Sequence, residues 1–470
     1  MRRALAALAA CLAASGCSLA PAYETPPPPV AETWPQGDAY LAQSEEALPA
    51  VTYEDVFADP RLRSLITQAL ENNRDLRVAY ANLAAARAQV RVVRARQFPE
   101  IGASASAGYS AADGPDRADF SLGGGVTNFE LDLFGRLASA TEAQRNVALS
   151  SEAGARTVRL GLVADLASIW LAYAADRDLL AVANDTAAAA QASYDLTQLR
   201  LRGGIAPRSD VRQAEQVLAT AQGDVAELTA ALAQDENLIR RLLGTPSFDP
   251  ALLPTGLAGI ADSVNTLPAG TSSDVLLRRP DVIDAEYRLR AANADIGTAR
   301  AELFPTISLS GLVGLAGDAL DALFSGGAFA ASGSAGATAP LFDFGGRRAN
   351  VAVTEAFRDA AVADYERTIQ SAFREVADVL ATQGTIANRL AAARRNTEAA
   401  ADTAELTELR YREGIDSALA RLVAQRSLYQ ARRDEVGVQY AALANRVDLY
   451  RTLGGDSFTQ APAVFGSASE

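Results

Sequence analysis

The chain is written twice. Asp75-Leu76, Ala79, Leu83, Ala86, Ala88, Ala95 and Phe98-Pro99 return as Asp281-Val282, Ala285, Leu289, Ala292, Ala294, Ala301 and Phe304-Pro305, each displaced by 206 positions. Phe134-Gly135 return as Phe344-Gly345, and Leu196-Thr197-Gln198-Leu199-Arg200 as Leu406-Thr407-Glu408-Leu409-Arg410, both displaced by 210. Three matches in one order, separated by one small length change, confine the fold to two copies of one large half. The period is far longer than the roughly 20–50 residues of a solenoid repeat. We expect a first repeat over 61–244, an inter-repeat segment over 245–272, a second repeat over 273–454 and a tail over 455–470, preceded by an N-terminal extension over 17–60.

Each half has the same internal grammar. A helical stretch comes first, Arg61 to Gln97 in one half and Ser273 to Leu303 in the other. Leu62, Leu65, Ile66, Ala69 and Leu70 set a spacing of three and four. Phe-Pro ends each stretch, because proline disfavours the helical conformation in the residue before it. The period then becomes two: Ile101, Ala103, Ala105, Ala107 and Tyr109 alternate with small polar residues, as do Ile307, Leu309, Gly311, Val313 and Leu315. The alternating run returns near Phe120 to Leu131 and near Phe329 to Leu341, giving hairpins over about 99–131 and about 305–341. Strands of about 9–11 residues with one apolar face suit a tilted membrane crossing. On the strand pattern alone, a soluble sandwich sheet with its apolar face inward is the better reading. Four strands are too few to close a barrel around a channel, so a membrane reading requires strands from several chains.

A very long helix follows each hairpin. Leu137 to Arg202 and Arg347 to Arg412 contain no proline, and at 1.5 Å per residue each corresponds to roughly 100 Å of rise. Tight turns at Gly203-Gly204 and Glu413-Gly414 lead to return helices, about Ser209 to Leu243 and Ser417 to Leu453. Both end in Leu-Gly, a C-cap signal.

Composition removes most chemistry. There is no histidine and no lysine, and there are two cysteines and one methionine. A Ser-His-Asp triad, a histidine base and a histidine metal site are therefore excluded. The net charge of −14 argues against nucleic acid, whose phosphates demand basic patches. No uninterrupted apolar run of about 18 residues follows the N-terminal segment, so no transmembrane helix is expected. A membrane crossing then requires β-strands in a closed barrel.

The N-terminus has the layout of a signal peptide over 1–16: Arg2 and Arg3, then apolar Ala4 to Ala14, then Ser15-Gly16 before Cys17. The small-small-Cys ending is similar to a bacterial lipoprotein box, although Ala14 stands where that box has leucine. It implies a diacylglycerol and an N-acyl chain, such as palmitate, on Cys17. Ser18 after it favours the outer membrane. Cleavage near Ala20 without lipid is the alternative. Cys11 lies within the expected leader, which leaves one mature cysteine and no disulfide.

Together these residues resemble the TolC-like outer-membrane efflux proteins, in the lipoprotein (NodT/OprM-like) branch. The likeness rests on Phe98-Pro99 and Phe304-Pro305, on Phe129-Glu130-Leu131-Asp132-Leu133-Phe134-Gly135-Arg136, and on Pro340-Leu341-Phe342-Asp343-Phe344-Gly345-Gly346-Arg347. Leu277-Arg278-Arg279-Pro280-Asp281 and Ala424-Gln425-Arg426-Ser427-Leu428 add to it. The resemblance implies a mixed α and β membrane protein: a trimeric β-barrel, four strands per chain, continued by a long periplasmic α-helical tunnel. It implies a passive exit duct for drugs or other small solutes, with no catalytic site and no cofactor. Its implied partners are two further copies, a periplasmic adaptor, an inner-membrane pump of the RND type and outer-membrane lipid.

In the family the periplasmic turns form the gate. That assigns gate candidates Asp210, Tyr411, Asp416 and Arg421, with Gly414 in the turn. Arg421 and Val423 depart from the pattern, since an aspartate commonly stands at position 423. Asp210 pairing with Arg421 is an expectation from their equivalent places. A type I secretion duct, a lipidated coiled-coil adaptor and a two-carboxylate hydrolase using Asp281 and Asp284 are the competing readings. The paired hairpins speak against the adaptor, and the helix-N-terminal place of the two aspartates speaks against the hydrolase.

Overall fold

The computed structural model describes residues 18–41, 52–111, 117–267, 272–324 and 327–455. The expected leader, Cys17 and most of the tail lie outside them. In chain order the helices are α1 (Tyr53–Val56), α2 (Pro60–Asn72) and α3 (Arg74–Ala95), followed by strands β1 (Ile101–Ser110) and β2 (Arg117–Glu130). Then come α4 (Arg136–Arg202), α5 (Arg208–Leu243), α6 (Pro280–Ala301), β3 (Thr306–Gly317), β4 (Phe329–Thr338), α7 (Gly346–Arg412) and α8 (Ala418–Thr452). The two long helices are 67 residues each, and both of their ends are displaced by 210, as the repeat requires.

Two expected continuous helices are broken. The first breaks at Asn73, whose backbone is extended (φ −57°, ψ 135°). Its N–H closes α2 on the Ala69 carbonyl at 2.8 Å. Its Oδ1 accepts from the Leu76 N–H at 2.9 Å to start α3, and its Nδ2 donates to the Leu242 carbonyl at 2.8 Å. One asparagine therefore caps two helices and binds the end of a third. The second breaks at Arg279: residues Ser273–Arg278 form a 3₁₀ turn, and the residue before Pro280 is held extended.

The chain divides into two compact units. One comprises Met1–Pro28, Ala81–Ala153 and Ile283–Thr368; the other comprises Pro29–Tyr80, Gly154–Val282 and Ile369–Glu470. Each draws on both repeats.

The first unit contains a single antiparallel sheet in the order β1-β2-β3-β4, so β1 and β4 are open edges. Ile101 pairs with Val126, Leu122 with Leu315 and Leu309 with Ala335. A bulge lies between Val126 and Phe129, where Asn128 takes φ 54° and its N–H donates to Ser310 Oγ at 2.9 Å. Gly125 sits so close to the Gly311 carbonyl that a Cβ there would overlap it. Ile101, Tyr109, Leu122, Leu309, Val313 and Phe329 are exposed on one face, an apolar band of the kind lipid covers. At the foot of the sheet the Phe134 and Phe304 rings stack, 4.6 Å apart and 16° from parallel. In the N-terminal strap the Pro21 carbonyl accepts from Asn293 Nδ2 at 2.9 Å, and Tyr23 lies 4.9 Å from the Arg290 guanidinium.

The second unit has a helical core of Leu62, Leu65 and Ile66 (α2), Leu166, Trp170 and Leu171 (α4), Ile239 and Leu243 (α5), Val376 and Leu380 (α7) and Val447 (α8), all buried. Trp170 Nε1 donates to the Leu252 carbonyl at 3.0 Å, which ties the inter-repeat segment to the core. Phe57 meets Tyr450 edge-on at 5.3 Å.

The expectation that no helix is apolar enough to cross a membrane needs correction. α4 holds an 18-residue window of mean hydropathy 1.4, and 61% of that window is buried inside the protein. The window reads as core because neighbouring helices cover it.

Candidate functional site: the two helical turns

The turns after α4 and α7 are built alike. Gly204 and Gly414 take φ 75° and 77°, a region open to glycine without a Cβ penalty. Ile205 N–H then donates to the Arg200 carbonyl at 2.9 Å, and Ile415 N–H to the Arg410 carbonyl at 2.8 Å, closing orphan carbonyls at both helix ends. Ser417 caps α8, its Oγ accepting from the Ala420 N–H at 3.1 Å.

The side chains differ between the turns. In the second, Arg410 holds Asp416 through two hydrogen bonds, 2.8 and 3.1 Å. That bidentate contact keeps the Asp416 carboxyl below its ordinary range. The position matching Asp416 is Ala206, so Arg200, the counterpart of Arg410, has no carboxylate there. It instead lies 4.5 Å from the centre of the Tyr411 ring. Arg421 lies 4.2 Å from that same centre.

Tyr411 is buried, and Arg421 is 1% exposed. Among the described residues the carboxylate paired with Arg421 is Glu408, 3.6 Å from Nη1, and its Nε and Nη2 have no hydrogen-bond partner there. Two guanidiniums thus share one aromatic ring across α4, α7 and α8, a contact of opposite sign to the ring face. Asp210 lies in the first turn of α5 and accepts from Ser209 Oγ at 3.3 Å. Within the chain Arg421 turns to Glu408 and Tyr411, not to Asp210. The expected Asp210–Arg421 pair is not formed within one copy, because Arg421 points into the helix bundle.

Above the turns lies a cavity of about 730 Å³, with Gln216, Thr220, Gln425, Arg426, Tyr429 and Arg433 on its wall. Tyr429 OH donates to Asp224 at 2.5 Å, and Arg433 Nη1 lies 3.2 Å from the same carboxylate. Burial, with the Asp224 hydrogen bond second, pushes Tyr429 up to about 12. Sequence reasoning missed this trio. The i, i+4 spacing of Tyr429 and Arg433 was the available signal, but the partner is 205 residues away.

A second missed feature is the pairing of Asp176 on α4 with Asp235 on α5. Burial first, then the Asp176 charge, raises Asp235 to about 6, and burial also raises Asp176. The Asp176 charge acts on Asp235, so the titration of the two carboxyls belongs to the pair. The folded state binds this proton more tightly than the unfolded chain does. The resulting stability is complete below about pH 4 and is lost as pH rises through about 6. Asp235→Asn is expected to raise stability at pH 8 by about 1 kcal/mol, after discounting for partial exposure. The gap should close at pH 4. Urea midpoints at the two pH values check this, and an equal gain at both would contradict it.

Asp281 and Asp284, the hydrolase candidates, are each engaged by an arginine: Asp281 by Arg279 at 2.7 Å and Asp284 by Arg288 at 2.8 Å. Among the described residues no group of three or more acidic, histidine or cysteine side chains is placed to hold a metal.

The family model described as outer membrane efflux protein matches residues 65–245 and again 271–455. The toluene efflux pump outer membrane protein TtgC of Pseudomonas putida is 40% identical over 455 residues, covering 95% of this chain and 94% of that protein. The antibiotic efflux pump outer membrane protein ArpC of the same species matches at 40% with the same coverage. The open state of the MtrE outer membrane channel of Neisseria gonorrhoeae superposes with a TM-score of 0.83 at 32% identity, covering 93% of this chain and 98% of that one.

Proposed function

We propose, from the premise that this chain belongs to the outer membrane efflux protein family, that three copies close into one lipid-anchored duct gated at its periplasmic turns. The chain is an outer-membrane exit duct of a tripartite efflux system, working with a periplasmic adaptor and an inner-membrane pump. It conducts and performs no reaction. The finer assignments are a homotrimer, a pump of the RND type, diacylglycerol and N-acyl lipid on Cys17, and small organic solutes as passengers. Relatives named for toluene and for antibiotics support the last of these.

The observation that carries the trimer is the open sheet. Four strands leave the outer edges of β1 and β4 unpaired, and in lipid each unpaired backbone group costs several kcal/mol. Strands from other copies supply the missing hydrogen bonds. The gate is assigned to Asp210, Tyr411, Asp416 and Arg421, where buried cation and ring contacts hold α7 and α8 against the end of α4. Exposed Ile205, Ile415 and Leu419 at the turns are apolar surface for an adaptor to cover.

Single-channel recording in planar bilayers, with mass determined in detergent, tests the reading. A trimer with small, mostly closed steps is expected. Arg410→Asp should raise open probability, and Arg410→Asp with Asp416→Arg should restore closure. A monomer without conductance would overturn the duct. Mass spectrometry of the mature N-terminus should show two lipid additions on Cys17, and an unmodified cysteine would remove the anchor.

A further inference from the structure

Two arginines of the second unit are buried and meet opposite surroundings. Arg279 donates to Asp281, to Glu375 and to the Thr452 carbonyl. Arg421 is the more buried of the two, 1% exposed against 8%, yet among the described residues its Nε and Nη2 meet no acceptor. Its Nη1 lies 3.6 Å from Glu408, beyond hydrogen-bond distance. That carboxylate is shared, because Arg412 Nε donates to its other oxygen at 3.0 Å. Arg200 brings a further positive charge to the Tyr411 ring that Arg421 faces. Arg421 also stands in the first turn of α8, the positive end of the helix dipole, where a cation is disfavoured.

We infer that Arg421 biases the gate towards opening: its charge is held in the packed turn at a net cost and is released to water when α8 leaves α7. This rests on the gate reading above and sets Arg421 apart from the groups that hold the turn, Tyr411 and the Arg410–Asp416 pair. A smaller binding free energy from a partner at the turn then suffices to part the helices.

The surroundings fix the sign. Burial strips the guanidinium of its hydration, and a shared carboxylate at 3.6 Å, itself a quarter exposed, restores only part of it. Donors without acceptors add the desolvation of those groups. The ring face offsets less than a desolvated cation loses. A lock and a load differ in what their removal does. If Arg421 and Glu408 locked the turn together, losing either would open it. With Arg421 as a load, losing Arg421 closes the turn. Losing Glu408 opens it, because Arg421 then has no paired carboxylate among the described residues.

Hydrogen exchange over 405–423 in the purified full-length protein reads the turn directly. Arg421→Met keeps most of the volume and should slow exchange there by about tenfold, toward the low end of what replacing buried charge with apolar volume gives. Glu408→Gln should accelerate it, and the double variant should match Arg421→Met. Arg421→Lys keeps the charge and should not slow exchange. Arg421→Gln, neutral and polar, should slow it by less than methionine does, and it carries the test should Arg421→Met fail to fold. The opening frequency of single channels should fall along with the exchange rate in the neutral variants. Unchanged or faster exchange in those variants, or an opening frequency that does not fall, overturns the inference and leaves the duct standing. A chain that forms no channels fails the duct itself, while the exchange rates still decide how Arg421 acts on the turn.

Discussion

Tyr411→Ala is expected to loosen the second helical turn and raise open probability, with the largest effect of any single change at the candidate gate. The ring is buried and is held between the guanidiniums of Arg200 and Arg421, 4.5 and 4.2 Å from its centre. Removing it takes away the transfer term of a large aromatic and leaves a cavity, together about 3–5 kcal/mol. It also leaves two arginines facing each other across a void. Arg421, whose Nε and Nη2 have no acceptor among the described residues, then gains by moving into water. Hydrogen exchange over 405–423 should accelerate while that of the α2 and α4 core stays unchanged. Tyr411→Phe keeps the ring and should behave as wild type. Tyr411→Leu, which copies Leu201 of the first turn, keeps apolar volume and loses the cation contact, so it should fall between. Identical behaviour of the leucine and phenylalanine variants would mean that packing alone holds the turn.

Much of this architecture is legible because it is repeated. A displacement of 210 links both ends of the 67-residue helices, and Phe-Pro and Gly-Gly or Glu-Gly mark where helix gives way to strand or turn in each copy. The break at Asn73 is not legible, because an asparagine within a helical pattern is only weakly unfavourable. Its decisive bond, to the Leu242 carbonyl, is made 169 residues away. The turn positions Tyr411, Asp416 and Arg421 can be located from the pattern, but not the direction in which Arg421 points. A charge three positions into a helix reads as solvated. Its burial depends on how α4, α7 and α8 pack, and so does the Asp176–Asp235 pair, whose members lie 59 positions apart on different helices.

The motif Leu277-Arg278-Arg279-Pro280-Asp281 acquires a physical reason in the structure, and it supports a second strong prediction. Pro280 opens α6, which forces Arg279 into extended backbone (φ −65°, ψ 135°). From there the buried guanidinium makes two bonds to Asp281, 3.0 and 2.7 Å, one to Glu375 on α7 at 2.8 Å and one to the Thr452 carbonyl at the end of α8 at 2.9 Å. One side chain therefore pins the start of α6 to both helices of the second long hairpin.

Arg279→Met keeps the volume but strands two carboxylates and a carbonyl. Breaking a buried ion pair from one side costs about 3–5 kcal/mol, and we expect the lower end, because Asp281 and Glu375 keep about a third or more of their side-chain surface in water. Arg279→Lys offers a point charge in place of a fork and should recover less than half of the loss. Arg278→Met, one position earlier and exposed, should stay within about 0.5 kcal/mol of wild type. Denaturant midpoints for the three variants decide it. Equal losses at Arg278 and Arg279 would mean that the segment depends on net charge, while a neutral Arg279→Met would mean that the packing around α6 stands without the arginine.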